Sequence, residues 1–246
     1  MFLAVDIGNT NMTFGLIKDS RIIRKFDIPT AKYTLAKLSV LLKGKKTDSA
    51  IICSVVPDAA KSLSRGLLKL VRGPIYITGK NIAVPVKSLY RKPSQLGLDR
   101  LVNAYAGIKL YKTPLIIIDF GTAVSFDIVD ARARYLGGMI LPGPGISLES
   151  LSDKTALLPK IKLKMPKEFI GRDTESCIIS GIVFGFACLT DGLCRKIKNK
   201  IGNNALVIAT GGCAPLIKRY CRQIDKLEPD LTLKGLMLIY KNAAVC

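Results

Sequence analysis

A short motif occurs twice in this chain and constrains its fold more than any other feature. The segment VDIGNT at positions 5–10 aligns with IDFGTA at positions 118–123, at a constant offset of 113 residues. In both copies an Asp ends an apolar run, a Gly follows after one spacer, and a hydroxyl residue lies nearby. Repetition of this kind indicates a duplicated α/β unit. We therefore predict two units, 1–112 and 113–246.

The pattern around each copy predicts a strand, a tight turn and a returning strand. In the first unit the strands are expected at 3–7, 13–17, 21–28, 49–55 and 75–77, with helices at 33–42, 58–71 and 98–110 and a loop at 83–95. In the second unit the strands are expected at 114–119, 124–129 and 206–210, and the helices at 147–152, 177–201 and 233–244. The glycine- and proline-rich segment 137–145 is interpreted as a structured loop, and Gly211-Gly212 as a turn that could accommodate phosphate.

Composition excludes several kinds of chemistry. The chain has no His, so Ser-His and Cys-His catalytic pairs and His-ligated zinc are excluded, and a carboxylate is the natural proton acceptor. The seven cysteines, which show no C-x-x-C spacing, are expected to be reduced and mostly buried: Cys53, Cys177, Cys188, Cys194, Cys213, Cys221 and Cys246. For Cys53, Cys177 and Cys188 the sequence favours core packing over a nucleophilic role. The N-terminus lacks a basic leader and the longest apolar stretch, 177–190, is short for a membrane span, which predicts a cytoplasmic protein with no membrane partner.

The formal net charge of +20 is compatible with anionic partners, but the basic residues are scattered rather than grouped with aromatics. Nucleic-acid binding is therefore not favoured. The basic segment Lys43–Lys46 is expected to be a solvated loop. Residues 160–167 alternate Lys with apolar side chains, which is typical of an edge strand or an extended loop.

Each Asp-x-Gly turn has a chemical interpretation. Glycine lets backbone amides approach phosphate oxygens, and a carboxylate such as Asp6 can hold a hydrated magnesium ion. One such motif alone is more simply an acidic turn. Two copies favour a phosphate clamp made by loops that face each other across a cleft. A P-loop and a G-x-G-x-x-G dinucleotide motif do not occur in the sequence.

Two Asp-x-Gly hairpins followed by a Thr-Gly-Gly resemble the actin, sugar kinase and 70-kilodalton heat-shock ATPase superfamily. Within it, the order and spacing of motifs over essentially the whole chain resemble the type III pantothenate kinases. The motifs are DIGNTN at 6–11, GLDR at 97–100, DFGTA at 119–123, GGMILPG at 137–143, GRDT at 171–174, TGG at 210–212 and LTLKGL at 231–236. The resemblance implies an α/β fold of two duplicated ribonuclease H-like domains with an interdomain nucleotide cleft.

The resemblance also implies roles for individual residues. ATP would be bound by Thr122 and by the first loop: Asp6, Ile7, Gly8, Asn9, Thr10, Asn11, Met12 and Thr13. Pantothenate would be bound by Tyr90, Gly97, Leu98, Asp99, Arg100 and Thr174, with Asp99 as general base. Asp119 would coordinate a monovalent cation, potassium or ammonium, and Asp6 would place magnesium through water. Family members are homodimers in which the second subunit completes the substrate pocket.

Elementary chemistry agrees with these roles, because phosphoryl transfer requires positioning, charge neutralisation and a proton acceptor. Arg100 could hold the pantothenate carboxylate or keep Asp99 ionised. Taken without the resemblance, Asp99-Arg100 is more simply an acid at a helix N-terminus beside a solvated cation. Two other functions remain open for such a chain: a nucleotide-binding regulatory or accessory protein of the same fold, and a kinase for another small alcohol.

Overall fold

The computed structural model describes residues 1–244, so the prediction for Cys246 lies outside the described residues. The chain forms two compact units. Unit 1 contains Met1–Val86, Lys92–Lys109 and the described residues from Asp230 onward, and unit 2 contains Lys87–Arg91 and Leu110–Pro229. The predicted boundary after residue 112 differs from these units in three places: residues 87–91 and 110–112 belong to unit 2, and the C-terminal segment belongs to unit 1.

Unit 1 is built on a five-stranded sheet. Its strands are β1 (Phe2–Ile7), β2 (Asn11–Lys18), β3 (Arg21–Pro29), β4 (Ser49–Ser54) and β5 (Ile75–Ile77), in the order β3-β2-β1-β4-β5. The helices are α1 (Leu35–Leu42), α2 (Pro57–Leu67), α3 (Leu98–Leu110) and α7 (Leu231–Ala244). The central strand β1 pairs antiparallel with β2 and parallel with β4.

The alternation of side chains along β1 sets the two faces of this sheet. Leu3, Val5 and Ile7 pack with buried residues of α1 and α2. Phe2 and Ala4 pack instead with residues of α3 and α7. Asp6 continues the series 2, 4, 6, so its side chain emerges on the face that carries α3.

Helix α7 fixes the position of α3. A Cβ on Gly235 would lie 2.6 Å from the carbonyl oxygen of Val102, so the two helices approach as closely as glycine permits. Thr232 donates a hydrogen bond of 2.8 Å to Oδ1 of the buried Asn103. Helix α3, whose first turn contains Asp99, is therefore held in place by contacts with α7, a helix near the end of the described chain.

Unit 2 is built on a six-stranded sheet in the order β11-β10-β7-β8-β9-β6. Its strands are β6 (Lys87–Ser88), β7 (Leu115–Phe120), β8 (Ala123–Val129), β9 (Arg134–Pro142), β10 (Leu206–Thr210) and β11 (Lys226–Leu227). Its helices are α4 (Pro144–Lys154), α5 (Thr174–Ile201) and α6 (Ala214–Lys218). Asp173 caps α5, and its side chain accepts a hydrogen bond of 2.8 Å from the Ser176 amide.

The predicted duplication is confirmed by the topology of the sheets. Strands β9-β8-β7-β10-β11 repeat the order β3-β2-β1-β4-β5, and β7 pairs antiparallel with β8 and parallel with β10, as β1 does with β2 and β4. The turns differ by one residue, because Ile7 pairs with Met12 whereas Phe120 pairs with Val124. The alignment of the two copies at a constant offset of 113 residues therefore stops within the second turn.

One sequence-based expectation for this unit needs correction. The segment 137–145 is not a loop: β9 extends to Pro142 and α4 begins at Pro144. Gly137 has φ of +123° and lies beside a register shift between β8 and β9. Glycine at this position therefore allows the backbone to bulge within the strand. Of the two alternatives for residues 160–167, the structure shows the extended loop: the segment lies outside the strands, and Ile161 and Leu163 pack against the core of unit 2.

The cysteines of the described chain are free, as predicted, but not mostly buried. Cys53 and Cys194 are buried, whereas Cys177 and Cys188 are exposed on α5 and do not belong to the core. Helix α5 is, among the described residues, the one helix long and apolar enough to cross a membrane by length and composition. Ile179, Val183 and Ala187 of this helix pack in the core of unit 2. An apolar composition also suits a helix that is partly buried in such a core.

Candidate active site

The first Asp-x-Gly loop, between β1 and β2, is held by three hydrogen bonds. The Gly8 amide donates to the Asn11 carbonyl at 2.9 Å, which closes the turn. Thr30 donates its hydroxyl to the Gly8 carbonyl at 2.7 Å and its amide to the Thr10 carbonyl at 2.9 Å. The loop is thus fixed by a residue that follows β3.

The residues of this loop differ in what they can offer to a ligand. Asn9, Thr10 and Asn11 are exposed, whereas the side chains of Ile7 and Met12 are buried in the core. Ile7 and Met12 could therefore contact ATP only through their backbone. At the edge of the loop, the Thr13 hydroxyl donates a hydrogen bond of 2.6 Å to Asp27.

Unit 1 brings Asp6 and Asp99 to the same buried thiol. Asp6 lies beside Cys53 in the register of β1 and β4, and Cys53 is completely buried. Burial and the negative charges of nearby Asp6 and Asp99 raise the pKa of this thiol well above its usual range. Two carboxylates that are 93 positions apart, at 6 and 99, therefore lie in one region of the unit.

Asp99 occupies the first turn of α3, where its Oδ1 accepts a hydrogen bond of 2.9 Å from the Arg100 amide. Burial raises the pKa of Asp99 above its ordinary value, although this hydrogen bond and the Arg100 charge act in the opposite direction. A carboxylate with a raised pKa is a stronger base than an exposed one, which suits a group that must accept a proton.

The glycine before α3 makes room for this carboxylate. A Cβ on Gly97 would lie 2.5 Å from Oδ1 of Asp99, closer than any real contact. Leu98 packs against Gly79, which has φ of +73° and where a Cβ would lie 2.5 Å from the Leu98 side chain. Arg100 is buried, with a relative exposure of 8%. The GLDR motif therefore forms a tightly packed support for one carboxylate.

The second Asp-x-Gly loop, between β7 and β8, is enclosed by two other glycines. A Cβ on Gly211, which has φ of +91°, would lie 2.4 Å from Oδ1 of Asp119. A Cβ on Gly143 would lie 2.4 Å from the carbonyl oxygens of Gly121 and Thr122, and the Gly143 amide donates to the latter at 3.0 Å. The TGG turn and the end of β9 thus pack directly on this loop, while the Thr122 side chain stays exposed.

Two proposed pantothenate contacts lie in unit 2. Tyr90 follows β6, and its ring centroid is 6.3 Å from that of Tyr135. Thr174 is the exposed first residue of α5. Both residues belong to unit 2, whereas Asp6 and Asp99 belong to unit 1.

The carboxylates are too dispersed to form a metal site by themselves, since no group of three or more Cys, Asp or Glu residues within 1–244 could hold a metal ion. A single carboxylate can still hold a hydrated magnesium ion, because this ion commonly takes one or two carboxylates together with phosphates and water. Magnesium at Asp6 and a monovalent cation at Asp119 therefore remain predictions.

Sequence reasoning missed two parts of this arrangement. Cys53 was assigned to the core, which is correct, but its place beside both carboxylates depends on the pairing of β1 with β4. Thr30 locks the first loop, yet nothing near it in the sequence points to that contact. The strand order identifies Cys53, and the path of the chain after β3 identifies Thr30.

Comparison with known proteins gives the family. The model of the type III pantothenate kinase family matches residues 2–196. The type III pantothenate kinase of Desulfosudis oleivorans is 40% identical and covers 99% of this chain and 100% of its own length. The type III pantothenate kinase of Syntrophus aciditrophicus is 38% identical, with 98% and 99% covered.

Solved structures show the same fold at lower identity. A Campylobacter jejuni protein described as a Baf family transcriptional activator superposes with a TM-score of 0.63 at 19% identity, covering all of both chains. Component A of (R)-2-hydroxyglutaryl-CoA dehydratase from Acidaminococcus fermentans gives a TM-score of 0.57 at 15% identity, with 99% and 98% covered. The full-length similarity in sequence, together with the duplicated sheets, establishes that this chain belongs to the type III pantothenate kinase family.

Proposed function

We propose that this protein transfers the γ-phosphoryl group of ATP to the primary hydroxyl of pantothenate, which yields 4′-phosphopantothenate at the first step of coenzyme A synthesis. Membership of the family supports this reaction. The observation that carries the assignment of the base is Asp99, a half-buried carboxylate whose pKa is raised and for which Gly97, lacking a side chain, leaves space. We expect the reaction to occur in the cytosol, where free thiols remain reduced.

In the proposed reaction the pantothenate hydroxyl oxygen attacks the γ-phosphorus. A new oxygen–phosphorus bond forms, the bond from the γ-phosphorus to the β,γ-bridging oxygen breaks, and ADP leaves with that electron pair. The hydroxyl proton passes to Asp99. Because no covalent enzyme intermediate is required, the chain's contribution is positioning, charge compensation and proton acceptance.

The first loop is proposed to hold the ATP phosphates. Glycine at position 8 and the hydrogen bonds from Thr30 give this loop a fixed backbone, which can present amides to phosphate oxygens. Magnesium, held by Asp6 through water, would neutralise phosphate charge when it is bound. Thr122 is proposed to contact the nucleotide, and Asp119 to hold a potassium or ammonium ion.

Pantothenate is proposed to contact Tyr90, the GLDR motif at 97–100 and Thr174. Arg100 is next to Asp99 and could pair with the substrate carboxylate.

We further propose a homodimer, because unit 2 exposes large apolar side chains near α5. Phe169, Ile170 and Leu189 have relative exposures of 68%, 75% and 39%.

The reaction is tested by coupled ADP release with pantothenate and magnesium ATP in potassium, ammonium or sodium buffer. Turnover that requires pantothenate, and potassium or ammonium rather than sodium, is expected. Asp119→Asn should remove the difference between potassium and sodium. ATP binding without pantothenate-dependent turnover would contradict the proposed function.

The base is tested by Asp99→Asn, which should keep ATP binding and reduce kcat by about 10²- to 10⁴-fold. Asp19→Asn, at an exposed turn, is the matched control and should retain full turnover. Full activity of Asp99→Asn would exclude Asp99 as the base while leaving the kinase reaction intact.

A further inference from the structure

A cavity of about 510 Å³ in unit 1 lies outside the residues assigned above. It is formed by the start of α1 and by α2 together with the turn that follows it. Its lining includes Lys61, Arg65 and Lys69, whereas Asp58 is its one carboxylate. The volume lies in the range that small-molecule sites occupy, about 300–1,000 Å³.

The three cationic side chains follow one face of α2 and the turn after it. Lys61 and Arg65 are four residues apart and therefore project from the same face of α2, and Lys69 continues this spacing into the turn after the helix. Asp58 compensates little of this charge. Its side chain is 97% exposed and lies 3.6 Å from Lys61, a geometry in which ion pairs contribute little.

One wall of the cavity includes Tyr33, whose hydroxyl needs a partner. This hydroxyl is buried and has no hydrogen-bond partner among the described residues. Leaving a buried hydroxyl unsatisfied costs free energy, which a bound acceptor would recover once a shift of the Tyr33 side chain exposes the hydroxyl to the cavity. Burial also raises the pKa of Tyr33, so the group stays protonated and able to donate.

Gly66 allows this wall to approach α2. A Cβ at position 66 would lie 3.2 Å from the Tyr33 hydroxyl and 2.8 Å from the Leu35 side chain. Thr34 and Leu35 place the N-terminus of α1 at the cavity, and the first turn of that helix contains no acidic residue. The positive end of the helix dipole therefore adds to the positive potential.

We infer that this cavity binds the phosphate group of a small phosphorylated molecule through Arg65, Lys69 and the Tyr33 hydroxyl. A phosphate accepts hydrogen bonds from guanidinium, ammonium and hydroxyl donors together, and Arg matches its geometry in a bidentate manner. The inference does not depend on the proposed kinase reaction, because none of these residues is assigned to ATP or pantothenate.

The test is calorimetric titration with inorganic phosphate at low ionic strength. The double variant Arg65→Gln/Lys69→Gln should raise Kd by about tenfold or more, since each charge-assisted hydrogen bond is worth at least that ratio. The control Arg21→Gln/Lys45→Gln removes the same charge from exposed positions outside the cavity and should change Kd by less than about twofold. Equal effects in both variants, or no saturable binding to the unaltered chain, would overturn the inference.

Tyr33→Phe provides a second measurement that separates binding from folding. It should raise Kd for phosphate about fivefold while leaving the melting temperature in phosphate-free buffer unchanged or higher, because the unpartnered hydroxyl is removed. A lower melting temperature with unchanged Kd would contradict a ligand role for Tyr33. Duplex DNA that binds the unaltered chain and loses affinity in the cavity variant, with phosphate binding unaffected, would reassign the surface to nucleic acid.

Discussion

Substitution of Gly97 by Ala tests the catalytic arrangement without removing any functional group. The new Cβ would lie 2.5 Å from Oδ1 of Asp99, whereas an ordinary carbon–oxygen contact is nearly an ångström longer, so the carboxylate must move by about 1 Å. Asp99 cannot adapt freely because it is half-buried and accepts a hydrogen bond from the Arg100 amide at 2.9 Å. A displacement of about 1 Å at a reacting group costs about 10² in rate, or about 2.7 kcal/mol in the barrier.

Steady-state ADP release measures this effect. We expect kcat of Gly97→Ala to fall about 100-fold with KM for ATP little changed, because the first loop is untouched. Gly192→Ala is the matched control: a Cβ there meets no atom within 4 Å, and turnover should be unchanged.

A double-mutant cycle decides whether the loss passes through Asp99. In an Asp99→Asn background, Gly97→Ala should cause little further loss, since the group that it displaces no longer acts as a base. Equal losses in both backgrounds would refute the reasoning, as would full activity of Gly97→Ala.

Three further predictions concern stability and binding. Burial raises the pKa of Asp99 in the folded state, so the protonated carboxyl stabilises the fold below the unfolded pKa, and this stabilisation is lost as the pH rises through the folded pKa. Asn resembles the protonated carboxyl, so Asp99→Asn should raise the free energy of unfolding at pH 7. Urea titration should show that this gain shrinks near pH 4. Gly211→Ala should lower that free energy by about 2 kcal/mol or more, because Gly211 combines a φ of +91° with close contacts to Asp119 and Phe120; unchanged denaturation would contradict the close packing. Thr30→Val should raise KM for ATP about fivefold through loss of the hydrogen bond to Gly8, and an unchanged KM would show that the loop does not need it.

Local patterns predicted most elements of the fold. The hairpin of β1 and β2, the strand β4 and the helix α3 were expected within a few residues, because apolar periodicity and turn residues act over short distances. The duplication was also visible, since repeated Asp-x-Gly turns follow equivalent strands. The high content of glycine and proline at 137–145 predicted a loop, but hydrogen bonds with β8 hold most of this segment in strand β9.

The candidate site was predictable in its motifs but not in its assembly. The roles of Asp6, Asp99 and Asp119 remain predictions, each now with a defined environment. What the motifs could not convey is that Gly97 accommodates Asp99 and that Gly211 accommodates Asp119. Such contacts depend on the path of the backbone in three dimensions.

The sequence by itself determined the class of this protein: a histidine-free, duplicated α/β chain whose ordered motifs place it in the type III pantothenate kinase family. The tertiary structure alone decided which groups lie together. Pairing of β1 with β4 puts Cys53 beside Asp6, packing of α7 holds α3 in position, and the contact of α1 with α2 creates a basic cavity. These relations join residues distant in sequence, and only burial and strand register, which act through space, can specify them.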